Sequence, residues 1–292
     1  MKPLSRKKRS GYLIVLIVIF IIAAPLLILY ASGYRLGETL RFLPTGGLYV
    51  TTAQSGIEIY INDELIRETS LWQKNILIQN LKPQEYRVKV VKDGYQEWSK
   101  TLQVFAEIVT EAHTFMLPTE IEIEEILPVI VETPNSTSTG TAIERGRENP
   151  EYLAVTELFK KPITKTTTSK VATTTRDVKI LRKLSVENVG GRLEVEWIGE
   201  PDSQPVYFCL ENVCEDRIII EPKSRLISFD FFPGREDLII LGLESGIYVT
   251  EVDNRGGQNV QKIIEGLNID FKVMNGDKIY LKIDKKYFSV SL

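Results

Sequence analysis

Nineteen consecutive residues without a charge, Tyr12 to Tyr30, come after the basic cluster Arg6-Lys7-Lys8-Arg9, with only Ser10-Gly11 between. As a helix rising about 1.5 Å per residue, this run spans roughly 28 Å, close to the hydrocarbon thickness of a bilayer. Its interior is almost wholly Leu, Ile, Val, Phe and Ala. Such a helix can bury its whole circumference in lipid while its backbone bonds close internally. Pro25 is tolerated near the outer end of a membrane helix and produces at most a kink. The spacing predicts a transmembrane helix over residues 12–30.

The same region sets an expected orientation. Lys2, Arg6, Lys7, Lys8 and Arg9 precede the run, whereas the far side opens with only Arg35 and Arg41. An excess of basic residues stays on the cytoplasmic side, so residues 1–11 read as a cytoplasmic tail and the remainder as extracytoplasmic. The run exceeds the 7 to 15 apolar residues of a removable signal peptide, which favours a retained anchor; the alternative is cleavage near Ala31-Ser32-Gly33. The first ten residues hold five of the 36 Lys and Arg, leaving 31 against 39 acidic residues and a net charge near −8. No basic patch with interleaved aromatics remains to neutralise phosphates, which argues against nucleic acid as a partner.

Beyond a juxtamembrane segment (31–45), the patterning is strand-like. Ile57-Glu58-Ile59-Tyr60-Ile61 alternates before the turn Asn62-Asp63, and Tyr86 to Lys92 alternates before Asp93-Gly94. Together with Asn75 to Ile78, Gln96 to Val104 and Ile108 to Leu117, these short runs between turns predict an antiparallel β-sandwich over residues 46–118. Gly47-Leu48-Tyr49-Val50, Ile57 to Asp63, Leu81-Lys82-Pro83-Gln84-Glu85-Tyr86-Arg87-Val88, Lys92-Asp93-Gly94-Tyr95 and Phe115-Met116-Leu117-Pro118 resemble, in order, the landmarks of a PEGA domain. Two departures are Gln54-Ser55-Gly56-Ile57 in place of Pro-x-Gly-Ala, and Gln84 where the pattern has glycine. They affect local turns, since a lost glycine removes easy access to positive φ. The resemblance implies a small extracytoplasmic β-sandwich of envelope proteins, with no catalytic residues.

Residues 119–177 read as a linker. Ile121-Glu122-Ile123-Glu124-Glu125 is compatible with an extended or edge strand, while Thr133 to Thr141 and Thr164 to Thr175 are rich in Thr and Ser. Between them, Asn149-Pro150-Glu151 with Tyr152, Leu153, Val155, Leu158 and Phe159 after it predicts a capped amphipathic helix near 150–160. Its apolar stripe needs cover, from a β-domain of the same chain or from a partner. Asn135-Ser136-Thr137 matches a glycosylation acceptor triplet, a common chance match.

Residues 178–292 repeat. Leu226 to Phe231 and Leu267 to Lys272 lie about 41 residues apart, each succeeded by a glycine-containing acidic turn and two further strands. This is the spacing of propeller blades, and Phe232-Pro233-Gly234 and Gly246-Ile247-Tyr248-Val249 resemble blades of WD-repeat and TolB-like proteins. About 115 residues suffice for two to three blades, fewer than closed propellers use. The fold class expected is mostly β: an N-terminal transmembrane helix, a PEGA-like antiparallel sandwich and a propeller-blade-like antiparallel domain.

Few residues suggest chemistry. Cys209 and Cys214 are the two cysteines, placed to face each other across a hairpin turning at Glu211-Asn212. They read either as a disulfide, favoured on the oxidising side of a membrane, or as two buried thiols. Two cysteines and the single histidine, His113, do not make a zinc set. His113 lies in an apparent strand and reads as a surface or satisfied residue rather than a general base. The acidic pairs Glu124-Glu125 and Glu236-Asp237 read as solvated charge. No cofactor is expected, and no enzymatic role. Trp72, Tyr95 and Trp98 are the candidate binding surface, an aromatic platform for a glycan or a protein, although Tyr95 and Trp98 also suit the core. The expected role is a single-pass envelope protein that binds a protein or a cell-wall or surface polymer. The runner-up is a ligand-sensing or accessory subunit of a membrane complex, with an envelope hydrolase third.

Overall fold

A computed structural model describes residues 6–36, 41–70, 72–130, 147–160, 177–211, 213–274 and 278–292. The apolar run forms helix α1 (Arg6–Ala31), with Pro25 inside it. None of the span Lys8–Ala31 is buried against the rest of the protein, and Leu16, Phe20 and Leu27 are each about two-thirds exposed. A helix apolar on every side is ordinarily buried, in a protein core or in lipid. By length and composition α1 fits a membrane anchor.

The end of this helix is tied to the first β-structure. Ser32 N–H donates to the Ile28 carbonyl at 2.9 Å, and Gly33, at φ +85°, reverses the chain. Strand β1 (Tyr34–Leu36) pairs antiparallel with β2 (Phe42–Pro44). The Thr45 backbone N–H and hydroxyl both donate to the Gly33 carbonyl, at 3.2 and 2.5 Å. The Tyr34 hydroxyl donates to Glu107 at 2.8 Å. The segment expected to be only juxtamembrane is therefore built into the next unit.

That unit contains β3 (Gly46–Thr51), β4 (Glu58–Ile61), β5 (Glu64–Glu68), β6 (Asn75–Leu81), β7 (Glu85–Val91), β8 (Trp98–Gln103) and β9 (Val109–His113). They form two sheets, in the orders β6-β3-β9 and β5-β4-β7-β8. The period-two pattern is obeyed: Tyr86, Val88 and Val90 of β7 are buried while Glu85 and Arg87 are exposed. One expectation fails. β9 runs parallel to β3, Gly47 opposite Val109 and Thr51 opposite His113, so the region is not wholly antiparallel. The chain changes sheets between β8 and β9, and a strand that crosses from one sheet to another is free of the hairpin's antiparallel constraint.

Downstream, β10 (Glu122–Glu125) leaves the stretch expected to be linker and pairs with the last strand of the chain. β11 (Val129–Ile130) pairs with β12 (Arg147–Glu148). Helix α2 (Pro150–Lys160) begins where expected. Asn149 Oδ1 accepts from the N–H groups of Glu151 and Tyr152 at 3.0 and 3.5 Å, and Pro150 occupies the first turn. The apolar stripe docks within the chain: Val155 is fully buried beside Ile126 and Tyr280, and the Tyr152 and Phe159 rings lie 5.5 Å from that of Tyr287. The Thr-rich stretches 133–141 and 164–175, and with them the triplet Asn135-Ser136-Thr137, lie outside the described residues.

The remaining strands are β13 (Val178–Leu181), β14 (Leu184–Val189), β15 (Arg192–Trp197), β16 (Cys209–Leu210), β17 (Val213–Cys214), β18 (Arg217–Ile220), β19 (Leu226–Phe231), β20 (Leu238–Leu243), β21 (Gly246–Glu251), β22 (Val260–Glu265), β23 (Ile269–Met274), β24 (Lys278–Ile283) and β25 (Lys286–Ser291). Apart from the β16-β17 hairpin they build three four-stranded antiparallel sheets: β13-β14-β15-β18, β19-β20-β21-β22 and β10-β25-β24-β23. The repeat expected at about 41 residues corresponds to β19 and β23, in which Asp230 and Asp270, 40 residues apart, each accept from the N–H of the succeeding Phe at 2.9 Å. No closed propeller is formed by the described residues. The propeller-like reading extends no further than these sheets.

Pro118 does not separate two cores. One continuous apolar cluster joins Leu48, Val88, Trp98 and Phe115 with Ile240, Ile247, Val249, Phe271 and Leu281. A second cluster lies between the first two of the three sheets, with Val195, Phe208, Ile218, Phe229 and Leu241 among its members.

Candidate binding site

Strand alternation explains the most unusual contact in the protein. In β8, Trp98, Lys100 and Leu102 point to one side and all are buried. A lysine in that register is costly unless every proton finds an acceptor. Lys100 Nζ lies 2.8 Å from Glu251 Oε1, 2.7 Å from the Asp253 carbonyl and 3.4 Å from Asp253 Oδ2, with its side chain fully buried. Those acceptors belong to the end of β21 and the loop after it. Glu251 is matched in turn, accepting from the Asn259 backbone and side chain at 2.8 and 2.9 Å and from Trp98 Nε1 at 3.2 Å. Burial pushes the Glu251 carboxyl above its ordinary range against the pull of Lys100 and Asn259. Burial acts the same way on Asp253, but the Arg255 hydrogen bond and the charges of Lys100 and Arg255 outweigh it and hold that carboxyl low.

The polar seam continues on both sides of this cluster. Gln261 Oε1 accepts from Leu117 N–H at 2.7 Å, and its amide nitrogen donates to Phe115 O at 3.1 Å. Gln96 and Lys262 exchange two bonds, Asn259 Oδ1 accepts from Ser99 N–H, and Arg255 Nη2 donates to Glu111 O at 2.7 Å. Gly256, at φ +63°, lies so close to β8 that a Cβ there would come within 1.6 Å of the Thr101 carbonyl oxygen. The two β units are thus locked by a hydrogen-bonded seam that is buried at Lys100, Glu251 and Gln261.

Beside the seam the units part to form a cleft of about 810 Å³, within the size range of ligand sites. One wall is Leu102, Phe105, Ile108, Val109 and Glu111; the other is Val206 to Leu210 and Val213, and Arg255 and Gly256 close the seam side. Cys209 and Cys214 are register partners in β16 and β17, with Cα atoms 3.9 Å apart, and are joined by a disulfide. The bond holds the hairpin that forms the lip of the cleft, where Leu210 and Val213 are 57% and 72% exposed. Glu215 N–H donates to Phe208 O at 2.8 Å, and Gln204 Nε2 to Glu215 O at 2.7 Å, bracing its base. Tyr207 stands between this cleft and a smaller one of about 420 Å³ that holds His113, Arg235 and Asp237. Its hydroxyl is buried without a hydrogen-bond partner, and burial raises its pKa.

The structure separates the three aromatics expected to form a surface. Trp98 is buried and donates to Glu251, so it is not part of an exposed platform: the β8 alternation turns it inward. Tyr95 is half-buried, packs on the main core and has Lys92 Nζ 4.7 Å from its ring. Trp72 alone is open, at 94% exposure. His113 is on β9, 3.7 Å from Glu111. Glu124 and Glu125 lie on β10, and Asp237 is engaged by Arg235 through two bonds of 2.6 Å. No cluster of three or more metal-binding side chains occurs among the described residues.

Residues 45–118 match the family model of the PEGA domain. No curated protein matches the chain. Among solved structures, a protein of Bacteroides fragilis NCTC 9343, provisionally described as membrane-associated and of unknown function, aligns over 84% of this chain and 94% of its own, at 11% identity and a TM-score of 0.20. At that level the similarity carries no argument. A PEGA domain tied to an apolar, protein-uncovered helix and joined to further antiparallel sheets fits an envelope-associated protein.

Proposed function

We propose that the protein is a single-pass membrane anchor that presents a fused β-rich body outside the cytoplasm to bind a protein or envelope polymer. Lys8, Arg9 and the basic residues before them then lie in the cytoplasm. The observation that carries the reading is the cleft between the two β units, whose walls are fixed by the buried seam and by the disulfide hairpin. Its lining is apolar with an acidic rim, which suits recognition rather than bond-making, and we assign it no catalytic residue and no cofactor. The direct tie of Gly33 to Thr45 favours the second reading, a ligand-sensing or accessory subunit, because a change at the cleft would reach the helix end without crossing a flexible joint.

Two measurements test the proposal. Protease added to spheroplasts should remove the β-rich body, whereas a protected body overturns the orientation. A photo-crosslinking residue at Leu210 should capture a partner that the same residue at exposed Ile180 does not. Equal capture at both positions would remove the cleft as the binding site.

A further inference from the structure

The wall of the cleft is also the open edge of a sheet. β9 ends the order β6-β3-β9 and, among the described residues, pairs only with β3. Gly47 N–H donates to Ile108 O, and Thr114 N–H to Thr51 O, so the even-numbered residues of this stretch turn their backbone groups toward β3. In a parallel ladder the alternate residues then turn theirs away. Val109 and Glu111 therefore direct N–H and C=O groups off the sheet edge. Arg255 occupies one of them, the Glu111 carbonyl. The Val109 N–H and C=O and the Glu111 N–H remain on the cleft side, and an edge strand with unsatisfied groups is a template for another strand.

The surroundings specify what strand. Leu210 and Val213 stand across the cleft as exposed apolar contacts. Glu85, Glu111, Glu211 and Glu215 line it against Arg255, the single lining Lys or Arg among the described residues, which is already held by both oxygens of Asp253. The rim is thus acidic among the described residues. We infer that the cleft takes an extended peptide segment of alternating apolar and basic residues, which adds to β9 as a strand. Its apolar side chains turn inward to the apolar lining, Phe105, Phe208 and Val213 among it, and its Lys or Arg groups turn outward to the rim glutamates. This inference rests on the binding reading above and adds the chemistry and pairing mode of the partner.

The test uses the full chain in nanodiscs and a capped octapeptide of alternating Lys and Val, with binding read by fluorescence anisotropy. An octapeptide of alternating Glu and Val should bind at least tenfold more weakly, and Glu211→Lys with Glu215→Lys should cost the Lys-Val peptide at least tenfold. Val109→Pro deletes an outward N–H without removing a bond to β3 and should weaken binding at least fivefold. Methylating alternate peptide N–H groups on the Lys-Val peptide reads the same pairing on unaltered protein and should have a similar effect. Absence of binding to the parent, equal binding of the two peptides, or indifference to N-methylation would overturn the inference. Because none of these measurements depends on membrane orientation, their failure is distinguishable from failure of the protease and crosslinking tests.

Discussion

Lys100→Met removes the ammonium from the seam while keeping an unbranched apolar chain of similar length. The parent places all three Nζ protons on acceptors within 3.4 Å. In the variant, Asp253 keeps Arg255, but Glu251 keeps only the neutral donors Asn259 and Trp98. Breaking a buried pair by deleting one partner costs about 3 to 5 kcal/mol, and the remaining donors place this case near the lower figure. At about 2 to 4 °C per kcal/mol for a body of this size, the midpoint of thermal unfolding should fall by roughly 6 to 12 °C. The loss should depend on pH. Burial already raises the Glu251 carboxyl, and removing Lys100 raises it further. For a carboxyl whose folded pKa exceeds its unfolded value, stability is greatest below the unfolded value and is lost as pH rises through the folded one. The deficit should therefore be smaller near about pH 5 than near about pH 8, and adding Glu251→Gln should recover part of it at the higher pH. Calorimetry of the detergent-solubilised chain measures all three. An unchanged midpoint, a deficit independent of pH, or no recovery in the double variant would refute the reasoning.

Other expectations concern the same body. Gly256→Ala should destabilise the junction, because its Cβ would meet backbone of β8 at 1.6 Å and φ is +63°. Strain from φ alone costs about 1 to 3 kcal/mol, and hydrogen exchange should rise selectively along β8 and β21. Asp253 has a folded pKa below its ordinary 3.8, so its contribution is present above that value and disappears as pH falls below it; acid titration of Asp253→Asn should lack that part of the loss. Replacing Cys209 and Cys214 together by Ser opens a loop closed over a separation of 5 residues and should cost about 2 kcal/mol at most in denaturant unfolding, by the chain-entropy argument. Phe229→Ala, at a buried ring of the second cluster, should cost about 3 to 5 kcal/mol in the same measurement.

What is legible in the chain is local. The uncharged run, the alternation within β4 and β7, the Asn149-Pro150 cap and the facing of Cys209 and Cys214 all depend on neighbours within about twenty residues, and the elements lie where those patterns put them. The alternation of Trp98, Lys100 and Leu102 already places a lysine on the inward face, and that misplaced charge is the one trace of the seam in the local pattern. The acceptors that make it tolerable, Glu251 and Asp253, lie about 150 residues away, where no periodicity points. The cleft is illegible for the same reason, since its two walls come from Phe105 to Glu111 and from Val206 to Val213. The parallel course of β9 depends on which sheet the chain enters after β8, and nothing in Val109 to His113 encodes that choice.

Pairing between β10 and β25 dictates an order of assembly. Glu122 meets Ser291 and Glu125 meets Phe288, closing a loop of about 165 residues whose entropy is of order 4 to 5 kcal/mol on the logarithmic scale for flexible chains. During synthesis, β10 emerges long before its partner and must wait with its edge open. The sheet that completes the body is thus among the last to form, and its non-local strand pairing makes that step slow compared with the hairpins on either side. A cell that makes this protein has to keep a waiting strand from pairing elsewhere until β25 arrives.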